Sequence, residues 1–380
     1  MSVRKKIVKG RGGDETWWIA DYTDGSGQRH QPRFKHKKDA EAHEEKSKVA
    51  IRAGTHVALD SNVTVGDAAG NWLRRVEANG MRGTGPAERT TVRQYQQHMN
   101  LHIVPRIGKL KLAKLTAKDI ENFRDGLLED LSRPLARKVL TSLKSLLKVA
   151  KVGHLAADVH IGSSKRAEHK LEIGRDIPTT AEIKRLIEAA KDNTKLHALL
   201  LTAALTGLRA SELRGLRWSD VDLKGEELHV RQRADRYGVI GAPKTKESGR
   251  TIPLAPDAVL ALKQWKLACP KGERDLVFPT GTGAIEHHAN MLRGLRPVMH
   301  AAGLLNKNGK PKYALHALRH FFASWCINPK ERGGRQLPVK VAQTLLGHSS
   351  IVMTLDRYGH LFPSGSDRTE LEAATRALLA

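Results

Sequence analysis

The sequence predicts a multidomain protein: a small N-terminal α+β region, an all-α region, and a larger, mainly α region that holds a small antiparallel sheet. Three observations predict it. Apolar residues change their spacing along the chain, from strand-like alternation to helical spacing and then to a mixture of both. A charged stretch with no clear period separates the last two regions. The length of 380 residues is enough for two or three domains, each with its own core.

Residues 1–57 open the chain. TWWIADY alternates as a strand, DGSGQ is a Gly-rich turn, and RHQPRF reads as another strand-like piece. The charged run KKDAEAHEEKSKVAIRAG is helical and stops at Gly54. The expectation is a three-stranded sheet backed by one helix, with Arg29, Arg33, Lys35 and Lys37 beside the turn. Trp17 and Trp18 alternate across a strand, so that one can face the core and the other a ligand; core packing is expected of at least one.

Residues 63–155 read as helices. VTVGDAAGNWLRRVEAN has helical spacing and ends at Gly80, and ERTTVRQYQQHMNLHIVPRIG is a second helix closed by Pro105 and Gly108. Thr116 can cap TAKDIENFRDGLLED, and Pro134 suits the first turn of PLARKVLTSLKSLLKVAKV. That last helix carries Arg137, Lys138, Lys144 and Lys148 beside its apolar face. Residues 156–177 are the expected linker. From residue 178 to 380, TAEIKRLIEAAKD and LHALLLTAALTG begin a compact helical core; the strand-like pieces EELHVRQR, YGVIGAP and GRTIPLAP follow, then more helices.

Lys and Arg number 65 against 40 Asp and Glu, a net charge of +25. Such an excess repels itself and points to a polyanionic partner, DNA or RNA ahead of membrane lipid. Two cysteines without CxxC or metal-ligand spacing fit a reduced compartment and no zinc site. The basic N-terminus lacks an apolar signal region, and no apolar run is long enough to span a bilayer. A soluble, cytoplasmic protein with no membrane partner is expected.

Chemistry concentrates in separate blocks of the last region. TGLRASEL holds Arg209, with Glu212 one helical turn on and able to orient its guanidinium. HALRH places His316 and Arg319 three apart, on one face of a helix, with His320 directed elsewhere. LGHSS puts His348 at a Gly turn, and DRYGH supplies Tyr358 ten residues later. Two arginines, two histidines and a phenol are a set able to grip a phosphodiester and attack it.

In this order and with these separations, TGLRxSEL, PKTKESGRTIPL, HxLRH, LGHSS and DRYGH resemble the tyrosine recombinases, the phage-type integrases, over about residues 175–362. The earlier regions resemble that family's arm-type DNA-binding domain and its helical core-type DNA-binding domain. The resemblance implies Tyr358 as nucleophile, Arg209 and Arg319 as a phosphate clamp, His316 and His348 completing the pocket, and Glu212 supporting the first arginine. Lys244 matches the general acid for the leaving 5′ hydroxyl, with Lys246 as its substitute. The basic residues Arg29, Arg33, Lys35, Arg137, Lys138, Lys144 and Lys148 are candidates for DNA contact.

The implied activity is a site-specific recombinase that cleaves and rejoins double-stranded DNA through a 3′-phosphotyrosyl link, integrating and excising a phage or mobile element. Energy kept in that link calls for no nucleotide cofactor. Guanidinium and ammonium groups supply charge that a nuclease would otherwise take from metal ions, so no metal is expected. Implied partners are core-type and arm-type sites, a homotetramer on DNA, a DNA-bending host factor and a directionality factor, in a nucleoid-associated setting. The alternatives are a dimer-resolving recombinase and a non-catalytic DNA-binding regulator. CINPKERGGRQLPVK is an insertion, read as a surface loop or a contact with a neighbouring subunit. The tail, with Leu371, Ala374, Leu378 and Leu379 in helical spacing, fits docking either on its own domain or on a neighbour.

Overall fold

A computed structural model describes the chain except residues 1, 11–12, 26, 55, 57, 59–61, 82–84, 163–169, 244, 331–332, 363–371, 373–374, 377 and 380. The chain divides into two compact units, Met1–Ala167 and Glu168–Ala380. None of the described helices is long and apolar enough to cross a membrane.

The first unit opens with an antiparallel pair, β1 (Ser2–Gly10) and β2 (Gly13–Thr23), in register from Ser2 opposite Asp21 to Gly10 opposite Gly13. Both β3 (Arg29–His30) and β4 (Arg33–Phe34) also pair with β2, so the sheet has four strands where three are expected. Two causes account for the difference. The basic opening segment pairs along its whole length, and Pro32, which has no N–H to give a ladder, splits RHQPRF in two. Helix α1 (Lys37–Arg52) packs on β2. Ile19, Ala20, Tyr22 and Ala40 are buried, whereas Trp17 and Trp18 are both only half-buried. The expected core tryptophan is therefore absent. Trp18 instead lies opposite Phe34, with the Lys37 ammonium 5.8 Å from its ring centre.

Helices α2 (Val65–Asn79) and α5 (Ala117–Asp130) each begin with a capping box, Thr64 with Asp67 and Thr116 with Asp119. Between them run α3 (Arg89–His98), a π-helical turn over Met99–Ile103, and α4 (Val104–Ile107). Pro105 does not close this segment. It sits in the first turn of α4, directly after the π turn, which absorbs the backbone bond that proline cannot make; Gly108 marks the end. Helix α6 (Arg133–Val149), with Pro134 in its first turn, buries Val139, Leu140, Leu143, Leu146 and Leu147. Each of these leucines contributes about 2 kcal/mol of apolar burial. This core begins at Val65 and also takes in Val159 and Ile161, while Ile177 belongs to the core of the second unit. The expected linker is thus anchored at both ends.

The second unit surrounds α8 (Thr194–Thr206), which is buried nearly all round. α7 (Thr180–Glu188) precedes it, and the short α9 (Ala210–Gly215) follows. The strands are β5 (Val221–Asp222), β6 (Glu227–Val230), β7 (Arg233–Ala234), β8 (Ile240–Gly241) and β9 (Arg250–Pro253). They form one antiparallel sheet ordered β5-β6-β9 and a separate β7-β8 pair. Among the described residues the unit continues with α10 (Pro256–Ala268), α11 (His288–Ala301), α12 (Leu315–Ile327), α13 (Val339–Leu346) and α14 (Ile351–Tyr358). α10 and α12 pack against α8.

The insertion folds back on α12. Arg335 N–H donates to the Trp325 carbonyl at 2.8 Å, Leu337 N–H to that of Cys326 at 2.7 Å, and the Arg335 guanidinium stacks 5.3 Å from the Trp325 ring. In the tail, Leu378 and Leu379 are exposed, while Leu371 and Ala374 lie outside the described residues.

Candidate active site

The last carbonyls of a helix have no partner within it and form the negative end of its dipole. At the end of α13 three guanidinium groups meet three successive carbonyls. Arg250 Nε donates to Leu345 O at 2.7 Å, Arg319 Nη2 to Leu346 O, and Arg209 Nη2 to Gly347 O at 2.9 Å. Gly347 takes the left-handed conformation (φ +62°) that ends the helix and turns its carbonyl to Arg209. The C-terminus of α8 does the same for the other side of Arg319, whose Nη1 donates to the Gly207 carbonyl at 2.7 Å. Sequence motifs far apart are drawn together by two helix ends.

Glu212 is the second organiser. Its carboxylate is 3 % exposed and accepts from Arg209 Nη1 at 2.7 Å, from the Arg209 backbone N–H at 2.9 Å, and from Arg250 at 3.0 and 3.3 Å. Burial pushes its pKa up, but Arg250 and then Arg209 outweigh that and leave it below the ordinary carboxylate range. The expected support of Arg209 by Glu212 is present. Arg250 was not singled out from the sequence; its side chain is almost fully buried and shares the same carboxylate. Of the three guanidiniums, Arg209 is the one with a substantial open face, 33 % of its side chain being exposed.

Tyr358, the last residue of α14, is 1 % exposed. Its hydroxyl lies 2.6 Å from His320 Nδ1, and its ring stacks parallel to that of His348 with centroids 6.5 Å apart. His348 is itself fixed through Nδ1 and the buried Thr354 hydroxyl, 2.9 Å apart. His316 meets His320 edge to face at 4.7 Å. The expectation that His320 points away from the group is therefore corrected: it is the histidine in contact with the phenol. One helical turn from His316 on α12, it lies on the same side of the helix.

Burial raises the Tyr358 pKa to about 12, against the opposing pull of Arg319 and Arg357. Burial likewise lowers His348 to about 3, helped by Arg319 and Arg209, and His320 to about 4, helped by His316 and Arg357. His316 is lowered too, by desolvation and then Arg319, although the residue is partly open to solvent. Arg319 falls well below its ordinary value because it is buried and close to Arg209, yet a guanidinium keeps its proton at neutral pH. The cluster thus combines neutral imidazoles, a protonated phenol and fixed positive charge.

Lys244 lies outside the described residues. Lys246 begins a short 3₁₀ turn, Lys246–Ser248, whose Ser248 hydroxyl is 3.5 Å from Arg209 Nη1 and 3.1 Å from Thr245 Oγ1. The base of the lysine-bearing loop is therefore at the arginine cluster. Among the basic candidates of the first unit, Arg33, Lys35, Arg137, Lys138 and Lys148 are exposed. Arg29 is exposed as well but engaged by Asp21, with Nε 2.7 Å from Oδ1, and Lys144 reaches the Ala157 carbonyl and His160 at 3.3 Å each.

Comparison with known proteins identifies the family. Residues 178–364 match the phage integrase family, and residues 87–128 match the N-terminal SAM-like domain of phage integrases. A "Tyrosine recombinase XerC-like" protein of Caldanaerobacter subterraneus subsp. tengcongensis is 29% identical over 360 residues, covering 87% of each chain. An integrase of Streptomyces ambofaciens is 29% identical over 319 residues, with 78% of this chain and 76% of that one covered. The ICEBs1 integrase of Bacillus subtilis is 27% identical, covering 70% and 72%. Among solved structures, the Tn1549 transposon integrase in complex with transposon right end DNA superposes with a TM-score of 0.62 at 19% identity, over 83% of this chain and 100% of that one. A lambda integrase from a tetramer bound to a Holliday junction gives a TM-score of 0.53 at 21% identity over 94% of each. These two likenesses concern the fold.

Proposed function

The chain belongs to the phage integrase family, the tyrosine recombinases that break and rejoin DNA, and on that premise we propose that it is a site-specific integrase of a phage or mobile element. The observation that carries the reading is the buried Tyr358 hydroxyl beside His320 and His348, within one cluster with Arg209 and Arg319.

Tyr358 attacks the scissile phosphorus, forms a 3′-phosphotyrosyl link and releases a 5′ hydroxyl. The 5′ hydroxyl of a partner duplex then reverses the step and joins the exchanged strands. Arg209 and Arg319 meet the charge on the non-bridging oxygens with donors held rigid by helix ends, so little reorganisation is needed as that charge develops. His348 and His316 complete the pocket, and Lys244, with Lys246 as substitute, protonates the leaving 5′ oxygen. Tyr358 and Arg319 are covered in this structure, so a scissile phosphate reaches them only once the cover over the pocket is withdrawn.

Strand exchange of this kind requires four protomers on two duplexes. Arg137, Lys138 and Lys148 on one face of α6 suit a duplex backbone at a core-type site, and Arg33 and Lys35 on the N-terminal sheet suit an arm-type site. A DNA-bending host factor would bring the two site classes together, and a directionality factor would choose integration or excision. The work takes place on DNA in the cytoplasm.

A second reading, resolution of chromosome or plasmid dimers, takes its support from the name of the XerC-like relative. The basic N-terminal sheet favours the integrase. The test is recombination between a plasmid carrying DNA that flanks the gene and one carrying the intact host site, using the full chain and a chain lacking residues 2–57. The integrase reading expects recombinants from the full chain only, with core-site cleavage kept by the shortened one. Equal recombination by both would favour dimer resolution.

A further inference from the structure

A phenol that attacks phosphorus must lose its proton, and the cluster contains one group placed to accept it. His320 Nδ1 is 2.6 Å from the Tyr358 hydroxyl. With its own proton on Nε2, the neutral ring accepts the hydrogen bond that the phenol donates. His320 is held for this task by α12 and by edge-to-face contact with His316.

We propose that His320 is a further catalytic residue: it orients the Tyr358 hydroxyl and takes its proton as the phenol attacks. The inference rests on the recombinase reading above. In the forward step the Tyr358 O–H bond breaks and its proton passes to His320 Nδ1. The Tyr358 oxygen bonds to phosphorus, the bond from phosphorus to the 5′ oxygen breaks, and that oxygen is protonated by the lysine general acid. In the rejoining step the imidazolium returns its proton to the departing tyrosine oxygen.

The charged and titratable groups around His320 are His316 and Arg319 on its own helix, Arg357 and Tyr358 on α14, and Asp176 ahead of α7. In the resting protein burial, and after it the neighbouring His316, Arg357 and Arg319, keep the ring neutral, which is the form a base needs. A phosphodiester bound at Arg209 and Arg319 brings negative charge among these cations and raises the basicity of the ring at the moment of use. Transfer is concerted with bond formation, so a free phenolate is not required.

The experiment is single-turnover formation of the covalent adduct on a nicked suicide duplex, from pH 6 to 9, with wild type, His320→Asn and His320→Gln. Asn keeps a hydrogen-bond acceptor near the Nδ1 position but cannot take the proton, and Gln serves if Asn impairs folding, judged by thermal unfolding and duplex affinity. Loss of a positioned base slows the step by about a hundredfold or more. The slowed variant should also gain rate with rising pH, close to tenfold per unit, as hydroxide replaces the base; wild type should be nearly flat from pH 6 to 8. A variant within threefold of wild type, a faster variant, or a slow variant with an unchanged profile would overturn the role of His320. Failure of wild type itself to form the adduct would instead count against the recombinase reading.

Discussion

Glu212 holds Arg250 at 3.0 Å with both side chains almost entirely withdrawn from water, and the same carboxylate grips Arg209 at 2.7 Å. Two cations from separate sequence blocks thus depend on one anion. Removing one partner of a buried ion pair typically costs about 3–5 kcal/mol, because the remaining charge is left without compensation. Glu212→Gln should lose stability on this scale by denaturant unfolding, and Arg209 should lose its alignment. Unchanged stability would mean that the α13 carbonyls alone suffice for both arginines.

Gly207 should tolerate no side chain. It is left-handed (φ +62°), and an added Cβ would lie 2.4 Å from the Phe322 ring. The backbone cost is about 1 kcal/mol, and overpacking adds about 1–3 kcal/mol. Because the Gly207 carbonyl also holds Arg319, Gly207→Ala should lower Tm and slow cleavage more than it weakens DNA binding. Thermal unfolding and binding titrations of the same preparation check both effects.

Stability should fall on mild acidification. His348 and His320 titrate near 6.5 when unfolded, but burial and nearby arginines lower them to about 3 and about 4 in the folded chain. Below pH 6.5 the unfolded chain therefore binds protons that the folded chain refuses. The stabilisation present above that pH is lost as pH falls towards the folded values, at up to about 1.4 kcal/mol per unit for each group. Denaturant unfolding between pH 7.5 and 4.5 measures the slope, and His348→Asn should reduce it by up to one proton. Identical slopes for variant and wild type would refute the assignment.

The exposed basic face of α6 should contribute mainly to sequence-independent affinity. Replacing Arg137, Lys138 and Lys148 together by Ala should weaken duplex binding and reduce the slope of log affinity against log salt, by about 0.9 for each phosphate left without its cation. An unaltered salt slope would place the duplex on another face.

Much of this was legible in the sequence because it follows from local rules. Thr116 announces a helix start with an acidic residue three positions on and makes the full capping box, as Thr64 and Thr179 also do in the structure. Arg209, Arg319, His348 and Tyr358 stand out as ordered blocks, and all four meet in one cluster. What remained hidden depends on tertiary context. Nothing local distinguishes Arg250 in a strand from a surface arginine; its role arises because β9 places it beside α9 and the end of α13. His320 is hidden because its neighbour Arg319 claims the helix face, yet the approach of α14 brings Tyr358 to it. Pro105 signals a helix end, and a π turn lets the helix continue.

The most direct measurement is covalent capture. The full chain is incubated with a nicked suicide duplex bearing its crossover site, and the mixture is resolved in SDS. Wild type should give a stable protein–DNA adduct linked through Tyr358, identifiable by peptide mapping, and Tyr358→Phe should bind the duplex with similar affinity but give none. An adduct that persists in Tyr358→Phe, or one mapped to another residue, would contradict the account.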